Sequence, residues 1–152
     1  MTDGLQLYRG GGMSASSTAI PSLYASLSVA LGGGIGALLR YQMGRAMTAW
    51  LGAANIGAFP FATLAVNTLG SLLMGVLAGW LAHRGAGGSE QARLLIGVGL
   101  LGGFTTFSAF SLEMVLLIER GQFMLALLYV MLSVGLGITG LVLGLNAVRM
   151  FS

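Results

Sequence analysis

Four apolar stretches, set apart by short polar breaks, lay out the chain. Leu23 to about Met43, Phe61 to Leu81, Ala92 to Ile118 and Gln122 to Val148 each reach or exceed the roughly 20 residues that an α-helix needs to cross a bilayer. The segments between them carry turn and loop chemistry. Gly44 to Phe59 reads as a loop that starts as an interfacial helix around Trp50, and Pro60 suits the first turn of the helix behind it. His83 to Gln91 collects Gly, Ser and charge, and Glu119-Arg120-Gly121 reads as a tight turn. Met1 to Pro21 is polar and Gly/Ser/Thr-rich, and is expected to be disordered, with Met13 an alternative start. The apolar run behind it has no convincing cleavage site, so it reads as a retained span and not as a signal peptide. The expectation is an all-α membrane protein: a disordered extension over residues 1–21, then one domain over 22–152 with spans at about 23–43, 61–81, 92–118 and 122–148.

The third span departs from plain greasiness. Gly99-Leu100-Leu101-Gly102-Gly103-Phe104-Thr105-Thr106-Phe107-Ser108-Ala109-Phe110-Ser111-Leu112-Glu113 holds adjacent glycines, four hydroxyls, three phenylalanines and a carboxylate. The glycine pair weakens a helix and Thr-Thr can cap a new one, so the span is expected to break near its middle and restart. At membrane depth a break is tolerated only where the freed backbone is buried in protein or lines a polar path, and free helix ends are where ion sites are built.

Composition narrows the function. The chain is 56% hydrophobic and 7% charged, against roughly 25% charged in an average soluble domain. It has no lysine and no cysteine, so disulfides and thiolate-held metals are excluded. The net charge of +3 is scattered, without the basic patch and interleaved aromatics that nucleic acid would require. Only one histidine is present, with no carboxylate pair or nucleophile–base set, which argues against an enzyme. Gly32-x-Gly34-x-x-Ala37 imitates a dinucleotide fingerprint but lacks the preceding strand and the following acid. Four spans put both termini on one side. Arg9, Arg84, Arg93 and Arg149 lie toward that side, and Arg40, Arg45 and Arg120 toward the other, too small a bias to fix one orientation.

Polar residues inside a membrane mark a function or a buried hydrogen bond. Asn67 is the one strongly polar interior residue of span two, with Thr63 one turn earlier on the same face; it can face a pore or join two helices. The hydroxyls of Thr105, Thr106, Ser108 and Ser133 can donate to an anion or satisfy their own helix backbone. Phe107 and Phe110 share a face of the restarted helix, as core packing or as ring edges offered to a small anion. Glu113 lies about 15 Å along the helix from the glycine pair at 1.5 Å per residue, as a gate, a hydrogen-bonding group or a snorkelling acid. Arg40 ends span one, as a vestibule charge or a headgroup anchor. His83 is a lone loop histidine without a partner ligand.

Gly-Gly-Phe-Thr-Thr-Phe-Ser-Ala-Phe-Ser-x-Glu from Gly102 to Glu113 resembles the signature of the Fluc/CrcB fluoride channels. Gly33-Gly34-Ile35-Gly36-Ala37-Leu38-Leu39-Arg40-Tyr41 and Thr63-Leu64-Ala65-Val66-Asn67-Thr68-Leu69-Gly70 agree in order and spacing, so the resemblance runs from about Leu23 to Arg149. It implies a channel in the inner (plasma) membrane that lets cytoplasmic fluoride leave passively. It implies an antiparallel, dual-topology homodimer with a structural Na⁺ at its axis, held by backbone carbonyls around Gly102, Gly103 and Thr105. It places Phe107 and Phe110 along the fluoride path, Asn67, Ser108, Tyr129 and Ser133 at neighbouring pore positions with Thr63 beside them, and Arg40 and Glu113 at a vestibule or gate. Ala109 stands where Thr is common in that family. Two other readings compete: a structural or assembly subunit without transport, and a small multidrug exporter. The latter needs a carboxylate in the first span, and Leu23 to Met43 has none.

Overall fold

The computed structural model describes residues 22–84 and 90–150. The expected disordered extension, residues 1–21, lies outside them, as does most of the loop placed between His83 and Gln91. The described residues are helical almost throughout: α1 (Ser22–Leu51), α2 (Ala53–Ala58), α3 (Phe61–Arg84), α4 (residues 90–104), α5 (Phe107–Glu119) and α6 (Phe123–Met150). Four segments, Ser22–Leu51, Phe61–His83, Glu90–Glu119 and Phe123–Met150, are long and apolar enough to cross a membrane.

The loop expected over Gly44 to Phe59 is mostly helix. α1 continues past Met43 to Leu51, and α2 follows after one residue. Arg40 and Arg45 mark a change of polarity, but nothing near them stops a helix. A single Gly44 costs about 1 kcal/mol relative to Ala, which a long helix absorbs. The stop comes at Gly52, whose φ of 84° is a left-handed turn open to glycine. Phe59 is extended, and Pro60 leads into α3. Between α5 and α6 the chain turns tightly, as the sequence predicts. The Gly121 and Gln122 amides donate to the Ile118 and Leu117 carbonyls at 2.9 Å, which closes the end of α5.

α4 is wound unusually. Arg93–Leu101 takes wide π turns, and the Gly102 amide reaches back to the Gly97 carbonyl. Extended π geometry is rare and tends to accompany functional sites. α1 packs along α4, and α3 packs along α6. Both seams run on glycine. A methyl group on Gly36 would strike the Leu100 carbonyl, and one on Gly103 would strike the backbone of Gly33. Side chains fill little of the interior: Val66 and Leu101 are buried, and Phe59, Leu117, Ala126 and Tyr129 form a cluster with Phe110 packed against it. Large apolar residues such as Leu31, Leu38, Met131 and Ile138 cover the outside, the inverse of a soluble surface.

Candidate functional site

Helix α4 ends at Phe104 and α5 begins at Phe107. Thr105 (φ −81°, ψ 159°) and Thr106 (φ −152°, ψ 119°) are extended between them. An amide and a carbonyl freed here must find new partners. Asn67 supplies both for Thr106. Its Oδ1 accepts from the Thr106 amide at 2.8 Å, and its Nδ2 donates to the Thr106 carbonyl at 3.0 Å. The side-chain amide thus takes the place of a neighbouring strand, and α3 is fastened to the linker between α4 and α5.

Each threonine hydroxyl serves one side of that linker. Thr105 Oγ1 donates to the Leu101 carbonyl at 2.9 Å and finishes α4. Thr106 Oγ1 accepts from the Ala109 amide at 3.2 Å and caps α5, lying 3.2 Å from the exposed Ser108 hydroxyl. The first turn of α5, with its partial positive charge, sits beside the linker. No hydrogen bond that leaves a helix ends on the carbonyls of Gly102, Gly103 or Thr105 among the described residues. Gly103 backs onto Gly33 of α1, whereas Gly102 is exposed.

A cleft of about 260 Å³ opens beside the linker, lined by Asn67, Gly70, Ser71, Met74, Thr105, Thr106, Phe107 and Leu141. Phe107 is 78% exposed, an unusual position for a ring adjoining polar groups. Its centroid lies 5.6 Å from that of Phe110, with the rings tilted by 37°. Phe110 in turn lies 5.1 Å from the Tyr129 ring, which meets Phe59 edge-on at 5.6 Å. A row of aromatic rings therefore runs from the exposed cleft to the buried interior.

At the inner end of that row sits a carboxylate. Glu113 Oε1 accepts from the Thr63 hydroxyl and Oε2 from the Tyr129 hydroxyl, both at 2.7 Å. Tyr129 is fully buried and Thr63 nearly so. Of the roles open to Glu113 in the sequence, the structure shows the hydrogen-bonded one: each oxygen holds a hydroxyl donor, one from α3 and one from α6. The Ser133 hydroxyl is enclosed in the same neighbourhood without a hydrogen bond of proper geometry.

Arg40 stands apart from both groups, on the wall of a cavity of about 220 Å³ that it shares with Gly44, Ala62, Thr63, Val66, Thr106 and Ala109. That cavity touches Thr106 of the linker and Thr63 of the carboxylate cluster, so it joins the three sets of predicted residues. The methyl of Ala109 forms part of its wall. Two contacts had no sequence signal. The Asn67–Thr106 and Thr63–Glu113 partners lie 39 and 50 residues apart, beyond any helical period. The sequence places Arg120 in a turn and on the same side as Arg40 and Arg45, with no hint of its partner. Its Nη1 donates to the Gly57 carbonyl at 2.8 Å and ties α2 to the end of α5.

Residues 27–145 match the family described as CrcB-like protein, Camphor Resistance (CrcB). A protein of Erythrobacter litoralis called "Fluoride-specific ion channel FluC" is 64% identical over 133 residues, 88% of this chain and 98% of that protein. Another of the same description, from Novosphingobium aromaticivorans, is 58% identical over 125 residues, covering 82% of this chain and 96% of its own length. A third, from Phenylobacterium zucineum, is 50% identical over 127 residues.

Proposed function

The chain belongs to the CrcB family, and from that premise we propose that it is a fluoride-specific ion channel: a multi-pass protein of the plasma membrane that lets fluoride leave the cell down its gradient. Its work is transport, not catalysis. The observation that carries the reading is the polar linker inside the third span, flanked by an exposed phenylalanine and a hydrogen-bonded carboxylate. Fluoride is small and strongly hydrated, so a path through the bilayer must replace its water with donors. The Ser108 hydroxyl and the amide end of α5 are donors beside the cleft. The rings of Phe107 and Phe110 have positively polarised edges that favour a bare anion weakly enough for it to move on.

In this reading the third crossing consists of two half-helices, α4 and α5, joined at Thr105-Thr106, and it functions opposite a second, inverted copy. The exposure of Phe107, whose cleft is open on a single chain, supports a partner there. So does the near balance of arginines on the two sides. A Na⁺ at the meeting point fits the residues present. The carbonyls of Gly102, Gly103 and Thr105 are hard oxygen donors on which, among the described residues, no backbone hydrogen bond from outside the helices ends. Bound there, the ion would supply a fixed positive charge at mid-membrane that favours an anion close by.

The deciding measurement is fluoride efflux from liposomes that hold only this protein, followed with a fluoride electrode. Fluoride flux with little chloride flux is expected. No flux, or equal chloride flux, overturns the proposal. Replacing Phe107 and Phe110 together by isoleucine keeps the apolar volume but removes the ring edges, and is expected to cut the flux at least about tenfold.

A further inference from the structure

We propose that Arg45, which neither the aromatic row nor the carboxylate cluster uses, is the outer collecting charge of the fluoride path; this rests on the channel reading above. Arg45 is exposed on α1 and lines a wide recess of about 570 Å³ together with Arg40, Tyr41, Gly44 and Thr48 of α1, Ile56 of α2 and Ala62 of α3. The recess shares Arg40, Gly44 and Ala62 with the narrower cavity that ends on Thr63 and Thr106. The two hollows therefore meet along a common wall, the wide one outside and the narrow one leading to the linker.

Two cations stand along this route and no carboxylate lines either hollow. Among the described residues the one ion pair is Glu90 with Arg93, on α4, so neither Arg40 nor Arg45 is neutralised. Arg45 comes five residues after Arg40, about 7.5 Å farther along the helix at 1.5 Å per residue. An anion in the recess thus meets one charge at the rim and a second at the throat. A hollow lined by one sign of charge between low-dielectric walls concentrates counter-ions and raises their rate of arrival. The helix that carries Arg45 is the part of α1 that runs on beyond the expected end of the first span, so its length builds the outer wall of the recess.

A collecting charge has a signature that a structural arginine lacks: its effect fades with salt. The test is initial fluoride efflux through phosphatidylcholine liposomes at a low, fixed fluoride concentration with constant Na⁺. Potassium gluconate sets the ionic strength at about 10 mM, where the Debye length is roughly 30 Å, or at about 1 M, where it is roughly 3 Å. Arg45→Gln is expected to slow efflux about threefold at the lower strength and to match the unmodified chain at the higher one. Arg45→Lys restores the rate, and Arg45→Glu slows it further. Unchanged efflux in Arg45→Gln, or a loss of the same size at both strengths, overturns the proposal. Absence of fluoride flux from the unmodified chain overturns the channel reading and this proposal with it, a result distinct from flux that ignores Arg45.

Discussion

A single amide, that of Asn67, answers two backbone groups that the third span leaves without helical partners. Removing it strands a part-buried N–H and a part-buried C=O, each costing up to roughly 1–3 kcal/mol before water in the cleft offsets some of it. Asn67→Ala is expected to lower stability by about 2–4 kcal/mol and to abolish most of the fluoride flux, read by thermal unfolding in detergent and by efflux. Asn67→Asp should do worse than its small size change suggests, because a carboxylate oxygen then faces the Thr106 carbonyl. Tyr129→Phe removes one of the two donors to Glu113 but leaves the ring stack in place. A loss of about 1.5–3 kcal/mol is expected, the range for a hydrogen bond to a charged group. The sequence revealed which residues were out of place in lipid, since polarity against an apolar background is visible in one dimension. It did not reveal their partners. Asn67 can face a pore or a neighbour equally well as a string of letters, and only the approach of α3 to the linker decides which groups its amide meets.

Among the elements, the helices were legible where hydropathy alone sets them and illegible where it does not. Apolar length marked the four crossings, but it also suggested that α1 ends near Met43, because polarity changes there. Polarity reports where lipid stops; the helix stops at Gly52, where the backbone turns left-handed. Glycine in the first span lets a neighbouring helix come close, and α4 lies against Gly36. Gly36→Ala is accordingly expected to push α1 off α4, because the new methyl meets backbone and not a movable side chain. A loss of about 1–3 kcal/mol should appear as early thermal unfolding and poor yield of folded protein. Thr106→Ala removes the cap of α5 and should cost about 1 kcal/mol while sparing the Asn67 contacts, which use only the backbone of Thr106. The π winding of α4 had no counterpart in the residue pattern, since its glycines are compatible with several kinds of turn.

For the molecule as a whole, one chain leaves Phe107 bare, and among the described residues no backbone hydrogen bond from outside the helices ends on the carbonyls of the glycine pair. If a second copy and a Na⁺ complete both, exchanging Na⁺ for N-methylglucamine should weaken the dimer in cross-linking assays and reduce flux, and returning Na⁺ should restore them. The pairing of helices has a consequence for how such a protein is made. α1 lies along α4, and α3 along α6, so the two main seams interleave in chain order. A nascent chain stalled after Arg84 has delivered two crossings to the translocon, and neither has yet met its principal neighbour. The first half gains its main packing only once the second half follows, so assembly is committed late.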